Sequence, residues 1–315
     1  MADNQVIACG SWNPAQSPPQ QSKTSRGSCL AALPAHGVMQ LMNKILAKRT
    51  VADSTSLFIV EAPEISRKAQ PGQFVILRLV EEGERFPLTI ADFDRDAGTI
   101  TLVSLSIGAS TMLLETLKEG DVILDVAGPL GKPTDIENVG TVVCVGGGVG
   151  IAAIHPVARA FKQAGNRVIS IIGAKTKSKL LWEDKMAQAS TELIVTTDDG
   201  TVGRQGFVTQ RLQEIIDSGT KIGIVFAVGP TIMMKMVAKV TQPYAIKTIV
   251  SLNPVMIDGT GMCGGCRVQV GGQQKFTCVD GPDFDAHQVD FDLLLSRLSA
   301  YRDEEHAAKC RCHEK

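Results

Sequence analysis

From Asn43 the chain alternates short apolar runs with turn residues: ILAKRTV, TSLFIVEA, GQFVILRLV, FPLTIADF, TITLVSLS and DVILDVAG. Short runs rich in β-branched residues and bounded by turns predict strands, and six of them in fewer than about 90 residues predict a small antiparallel barrel. One helical interruption is expected, from Ser110 to Leu117, opened by Gly108, Ser110 and Thr111. From Thr141 the pattern changes to strand then helix, repeated. TVVCVGG, RVISIIG, ELIVTTDD and KIGIVFAVG read as strands; helices are expected over Ile151 to Gln163, around Leu180 to Gln188, over Phe207 to Ser218 and over Thr231 to Val240. That alternation predicts a doubly wound parallel sheet covered on both faces, with ligands beyond the carboxyl ends of its strands.

The pattern divides the chain into a multidomain β plus α/β protein. An antiparallel β-barrel over 42–138 precedes the α/β domain over 139–245, and a small C-terminal domain over 246–298 carries a GG turn at Gly271 and Gly272 and a helix from Asp290. Residues 1–41 are rich in Ser, Gln, Pro and Ala without apolar periodicity and are expected to be disordered. They lack the basic start and apolar stretch of a secretory signal; an organelle address and a mis-chosen start both stay open. The charged tail, 299–315, is expected to fray.

Composition narrows the function. Lys plus Arg (32) nearly balances Asp plus Glu (33), leaving a net charge of −1. No basic field draws such a chain to nucleic acid or an anionic membrane, and no uncharged apolar run reaches the roughly 18 residues of a membrane span. Of the eight cysteines, Cys9, Cys29 and Cys144 are scattered, Cys263, Cys266 and Cys278 crowd together, and Cys310 and Cys312 sit in the tail. A late cluster in a large chain points to metal binding in a reducing compartment, so a cytoplasmic protein is expected.

The cluster reads Asp258-x4-Cys263-x2-Cys266-x11-Cys278. The plant-type two-iron centre uses C-x4-C-x2-C and a distant fourth cysteine, so this segment has that spacing with an aspartate in the first slot. Gly259, Gly261, Gly264 and Gly265 leave room for backbone N–H groups to face the sulfides. A carboxylate carries the charge of a thiolate, with a harder donor atom. Structural zinc is the competing reading, and Cys310 or Cys312 the alternative source of a fourth ligand. Cys144, inside an apolar strand, is expected to pack as a small hydrophobe.

The string GGGVG, Gly146 to Gly150, follows a strand and opens a helix. Backbone there can approach a pyrophosphate while free N–H groups and the helix dipole meet its charge, although the G-x-G-x-x-G fingerprint is absent. Asp198-Asp199-Gly200 and Gly229-Pro230 lie at other strand ends and would ring the same crevice. After the second strand, Lys175, Lys177 and Lys179 with Thr176 and Ser178 stand where an acidic residue would favour NAD, so NAD(H) against NADP(H) stays open. In the barrel, Arg85 and the start of the lone helix are two natural holders of a diphosphate.

With Arg85-Phe86-Pro87-Leu88-Thr89 and Gly108-Ala109-Ser110-Thr111 in place, the chain resembles the ferredoxin-NADP reductase superfamily, whose barrel carries FAD through an R-x-Y-[ST] motif. Here Pro87 replaces the tyrosine and Leu88 the hydroxyl residue, with Thr89 one position later. That departure is similar to two subgroups, the dihydroorotate dehydrogenase electron-transfer subunits and the small subunits of NADH-dependent reduced ferredoxin:NADP oxidoreductases. The resemblance runs from about Met42 to about Leu298, through PGQFVILRLVEEGERFPLTIADFD, CVGGGVGIAAIHPVARA, TTDDGTVGRQGFVT, DGTGMCGGCRV and FTCVDGPDFDAHQVDFD. The aspartate at 258 resembles the second subgroup.

The resemblance implies that Arg85 binds FAD phosphates, that Pro87, Leu88 and Thr89 border the flavin ring, and that Gly108, Ser110 and Thr111 hold the pyrophosphate. It implies a [2Fe-2S] cluster on Asp258, Cys263, Cys266 and Cys278, and a nicotinamide nucleotide on Gly146, Gly147, Gly148, Gly150, Asp198, Asp199, Gly229 and Pro230. Nicotinamide, flavin and cluster in that order convert a hydride into single electrons, so the chemistry belongs to the cofactors and no catalytic side chain is expected. His155 and His287 are expected to be packing or surface residues. The resemblance further implies an oxidoreductase subunit in a heterodimer with a larger flavin and iron-sulfur subunit, reaching ferredoxin only indirectly. A dihydroorotate dehydrogenase-type electron-transfer subunit, a stand-alone NAD(P)H reductase and a zinc-containing nucleotide sensor are the alternatives.

Overall fold

The computed structural model describes residues 43–301, 303–305 and 308. The expected disordered stretch 1–41 and the tail cysteines Cys310 and Cys312 lie outside the described residues. The first half contains β1 (Ile45–Ala52), β2 (Thr55–Glu61), α1 (Pro63–Lys68), β3 (Phe74–Arg78), β4 (Phe86–Asp94), β5 (Thr99–Leu105), α2 (Ala109–Thr116) and β6 (Asp125–Leu130). The strands form one antiparallel sheet in the order β1-β2-β5-β4-β3-β6. It curls until its ends meet: Ile45 N donates to Asp121 O (2.8 Å) and Ile123 N to Asn43 O (2.9 Å). Closure therefore runs through the segment before β6, which is why β6 starts at Asp125 and not at Asp121 as the apolar run predicts. Ile45, Phe58, Leu77, Ile90 and Leu102 fill the interior.

Helix α1 corrects the expectation of a single helical interruption. Pro63 opens it, Glu64 stands in its first turn and Arg67 and Lys68 in its last, all favourable to a helix. Its brevity, six residues, hides it from periodicity.

The second half contains β7 (Thr141–Gly147), α3 (Gly150–Gln163), β8 (Arg167–Ala174), α4 (Glu183–Ala189), β9 (Glu192–Thr197), β10 (Arg204–Gln205), α5 (Val208–Asp217), β11 (Ile224–Val228), α6 (Thr231–Thr241) and β12 (Thr248–Ser251). After them come the hairpin β13 (Arg267–Val270) and β14 (Gln273–Phe276), α7 (Thr277–Asp280), β15 (Asp283–Asp285) and α8 (Phe291–Leu298). The expected helix around Leu180 begins instead as a 3-10 turn over Lys177–Lys179, with α4 following.

The sheet order is β10-β9-β8-β7-β11-β12-β15, parallel except for β15. Central β7 alternates its side chains between the two faces. Val142 and Cys144 pack with Ile154, Val157 and Phe161 of α3, while Val143 and Val145 pack with α5 and α6. Burial pushes the Cys144 thiol up to about 12, so it behaves as an apolar side chain. Helix α3 is shared: Leu57, Ala91 and Val103 of the antiparallel sheet join the same core. Strands β12 and β15 come from beyond residue 245 and edge the parallel sheet, with β12 beside β11. Among the described residues no helix is long and apolar enough to cross a membrane.

Candidate functional site

The strand order reverses between β7 and β11: the chain runs one way to β8 and β9, then returns to β11 and β12 on the other side. Connections leave such a switch point in opposite directions and open a crevice beyond the strand ends. Here it is a cavity of about 450 Å³ lined by Gly147, Gly148 and Gly150 after β7 and by Gly229 and Pro230 after β11. Its opposite wall is Pro87, Leu88 and Thr89 of β4 with Thr111 of α2. Two loops predicted for the nucleotide and one strand predicted for the flavin thus face one space. A larger, polar groove of about 660 Å³ lies at the far end of β4, lined by Asp92, Asp94, Arg95 and Arg159, and contains none of the predicted cofactor residues.

The glycines differ in their work. A Cβ on Gly150 would stand 2.4 Å from Val228 O, and one on Gly147 2.4 Å from Met233 Sδ, so Gly150 lets α3 approach β11 and Gly147 lets α6 approach β7. Gly148 takes φ +55 with open space beside it and turns the chain into the helix. Gly146 belongs to β7 itself, and its Cα side faces Ile151 and Ile154 rather than the cavity.

Pro87 and Thr89 pair with Ile76 and Phe74 on β3. Arg85 is exposed just before β4 and does not line the cavity. Its neighbour Glu84 accepts from Ser110 Oγ (2.5 Å), which ties the Arg85 loop to the start of α2. Thr111 Oγ1 accepts from Gly108 N (3.0 Å) and Ile107 N (3.1 Å), shaping that turn. Asp198 and Asp199 are exposed at the end of β9 and lie outside the cavity wall. Hydrogen bonds from Thr201 Oγ1 (2.7 Å) and Thr201 N (3.0 Å) hold the Asp199 carboxyl below the usual carboxylate range. Lys177 N donates to Thr201 Oγ1 (2.9 Å), so the basic and acidic loops are braced together.

The structure brings together two of the four predicted cluster ligands. Cys266 and Cys278 are buried with sulfurs 3.2 Å apart, and Cys278 N points at Cys266 Sγ (3.5 Å). Burial, then the adjoining Cys266 thiol, pushes the Cys278 thiol up to about 12. Cys263 is exposed and receives Gly265 N at 3.4 Å. Asp258 Oδ1 accepts from Thr260 N (3.0 Å) and Oδ2 from Cys263 N (2.8 Å); these N–H groups hold its carboxyl below the usual range. Among the described residues no three or more His, Cys, Asp or Glu side chains stand in a metal-holding group.

Sequence reasoning missed the wall between cavity and cysteines. Phe74 and Met256 line the cavity and pack with Ile76 against Cys266 and Cys278. They come from separate segments, and no local pattern announces that they meet. His155, expected as a packing residue, is buried: its Nδ1 lies 3.4 Å from Ala91 O and its ring stands edge-on to Trp182 at 5.3 Å. His287 Nε2 lies 2.9 Å from Thr241 Oγ1.

The fold and sites define an oxidoreductase subunit with a nucleotide domain and an iron-sulfur segment. Residues 144–239 match the oxidoreductase NAD-binding domain and residues 253–290 the iron-sulfur cluster binding domain of dihydroorotate dehydrogenase B. A dihydroorotate dehydrogenase B (NAD(+)) electron transfer subunit homolog of Thermotoga maritima is 48% identical over 264 residues, covering 84% of this chain and 93% of that protein. The electron transfer subunit of Desulforamulus reducens is 32% identical, covering 78% and 96% respectively. A solved structure described as that of NADH-dependent reduced ferredoxin-NADP oxidoreductase superposes with a TM-score of 0.82 at 46% identity, covering 86% of this chain and 97% of that one. The chain belongs to the dihydroorotate dehydrogenase B electron-transfer subunit family. The oxidoreductase class, the nicotinamide-nucleotide domain and the iron-sulfur domain expected from the sequence are those of the matching families, and the superposed relative is described in terms of flavin-based electron bifurcation. An electron-transfer subunit implies a larger catalytic partner.

Proposed function

We propose that this chain takes electrons from NADH or NADPH and delivers them singly to a larger flavin and iron-sulfur subunit, with ferredoxin reached through that subunit. The observation that carries the reading is the shared cavity. It joins Gly147–Gly150, Gly229 and Pro230 to Pro87–Thr89, and its floor of Phe74 and Met256 backs directly onto Cys266 and Cys278. The relative described in terms of flavin-based electron bifurcation and NADH-dependent reduced ferredoxin-NADP oxidoreductase supports this choice of partner.

The donor set of the cysteine loop fits an iron-sulfur centre: three sulfurs and a carboxylate on one glycine-rich segment, with Gly259, Gly261 and Gly264 at φ +74, +84 and +66. The Cys278 thiol, pushed up to about 12, becomes a thiolate ligand only when a metal displaces its proton. Asp258, Cys263, Cys266 and Cys278 would hold the cluster. Pro87, Leu88 and Thr89 would border the flavin, while Arg85, Gly108, Ser110 and Thr111 would hold its diphosphate. Gly147, Gly148 and Gly150, with Gly229 and Pro230, would seat the nicotinamide nucleotide, with Gly146 behind them in β7, and Asp198 and Asp199 would meet its outer part. Bound flavin supplies the exchange between a two-electron hydride and single electrons. The protein's own part would be to bring nucleotide and flavin into one cavity, keep water from its apolar walls and hold the cluster loop against its floor.

Anaerobically purified chain is expected to contain flavin, iron and acid-labile sulfide, and NADH is expected to bleach the flavin band. Alone it should reduce artificial dyes but not NADP with ferredoxin. Colourless protein, or turnover of NADP with ferredoxin by this chain unaided, overturns the reading. Asp258→Ala is expected to lose iron while keeping flavin. Asp258→Cys should alter the electron paramagnetic resonance signal of the reduced protein, and an unchanged signal would remove Asp258 from the ligand set.

A further inference from the structure

One carboxyl group between the cavity and the cysteine loop has no part in the roles proposed above. Asp283 sits on β15, one residue after Pro282 and opposite Ser251 of β12, and both of those residues line the cavity. Cys278 lies five residues before it on α7. Asp283 Oδ2 accepts from Thr134 Oγ1 (2.6 Å), while Oδ1 is shut off from solvent and has no hydrogen-bond partner in the protein. Lys132 N donates to Gly281 O (2.7 Å), which fastens the segment carrying Thr134 across this corner.

A buried carboxylate with an unpartnered oxygen holds its charge at a cost, and a proton is the smallest group that removes it. Burial, aided by the nearby negative charge of Asp135 and opposed chiefly by the hydrogen bond from Thr134, pushes the Asp283 carboxyl up to about 6. Other acids nearby are committed elsewhere: Asp285 accepts from His287 N and Gln288 Nε2, and Asp280 accepts from Phe276 N. Among the described residues no ion pair reaches Asp283, from Lys132 or any other cation.

We propose that Asp283 is a redox-linked proton site: when one electron reduces the centre held by the adjoining cysteine loop, its carboxylate takes one proton from solvent on Oδ1. One O–H bond of a solvent hydronium breaks as the Oδ1–H bond forms, and the electron is one of the pair that NADH supplies. The inference rests on the iron-sulfur reading of that loop. An added negative charge in the same poorly polarisable interior raises the proton affinity of a carboxylate. Burial places the Asp283 midpoint at about 6 in the protein alone, and above its midpoint the group is a carboxylate. Reduction moves that midpoint upward, so between the two midpoints electron and proton enter together. Over this window the one-electron equilibrium constant falls tenfold per pH unit, ~59 mV. Below it the carboxyl is already protonated and the potential is flat.

The test is a redox titration of the whole chain with its cofactors, read from the electron paramagnetic resonance signal of the reduced cluster at a series of pH values. Wild type is expected to show the slope between the Asp283 midpoints of the oxidised and reduced protein. Asp283→Asn, which keeps an oxygen for Thr134, is expected to keep the signal and lose the slope. A flat wild type, or a slope that survives in the variant, overturns the proposal. Independently of whether the variant folds, reduced-minus-oxidised infrared difference spectra of wild-type protein with isotope-labelled aspartate should show a carboxylic-acid band gained on reduction. Its absence also overturns it. Wild type lacking sulfide would overturn the iron-sulfur reading itself, a distinct result.

Discussion

At the residue scale, what a position tolerates follows from what surrounds it. Gly150→Ala puts a methyl group where Val228 O stands 2.4 Å from the Cβ position, and backbone on both sides leaves little room to yield. Overpacking of this kind costs about 1–3 kcal/mol. The expected outcome is a lower thermal midpoint together with weaker NADH binding, because the end of β11 and the turn into α3 shift together; isothermal titration of the folded variant reads the second effect. His155 gives a pH signature. Burial pushes its imidazole below the ordinary 6.5 against the opposing field of Asp92, so the folded state binds fewer protons than the unfolded one. Stability is therefore full above about pH 6.5 and lost as pH falls below it. His155→Phe keeps an aromatic ring beside Trp182 and should flatten this decline; urea midpoints measured at about pH 7.5 and about pH 5.5 would reveal it. The types of residue at the site were legible from spacing alone, as with Gly150 and the cysteines. The company they keep was not: the carboxylate of Asp258 is turned onto its own loop's N–H groups, and only the folded turn decides that.

At the scale of elements, β4 and α3 do more than either sequence pattern suggests. The first residues of β4 line the cavity, while its later ones grip α3, whose own N-terminus closes the other side. Asp92 near the end of β4 binds Arg159 (2.8 Å) and lies 3.7 Å from Lys185 of α4. Asp92→Asn removes both attractions from a half-buried site, at a cost of about 1 kcal/mol. The expected functional result is slower flavin reduction by NADH in stopped-flow traces with flavin content unchanged, since the two cavity walls are held less firmly. Faster or unchanged reduction would show that the walls are set elsewhere. Most elements were readable because their apolar spacing matches a strand or helix period over several residues. Helix α1 and the two-residue β10 are too short for periodicity, and the sheet's closure rests on backbone bonds between Ile45 and Asp121 that leave no mark on side-chain pattern.

At the scale of the whole molecule, the cysteine segment is also structural, and this separates loss of the cluster from loss of the fold. Strand β12 pairs with β11 through Val225, Phe226 and Ala227, and β15 caps β12 in turn. Val250, Leu252, Val268, Phe284, Phe291 and Leu294, all beyond residue 245, are buried in the same core as Met234 and Val237 of α6. Fully buried apolar side chains contribute about 1.5–3 kcal/mol each, so removing these six forfeits on the order of 10 kcal/mol, comparable to the net stability of a domain. A chain ending at Ala245 is thus expected to aggregate, with an exposed β11 edge that invites pairing between molecules. Asp258→Ala, which removes a half-buried carboxylate bonded only within the cysteine loop, should instead elute at the size of the full chain with its far-ultraviolet dichroism intact. Size-exclusion chromatography and circular dichroism of the two proteins side by side decide the matter. A truncated chain that stays monomeric and binds NADH would mean that the nucleotide sheet is complete without β12 and β15.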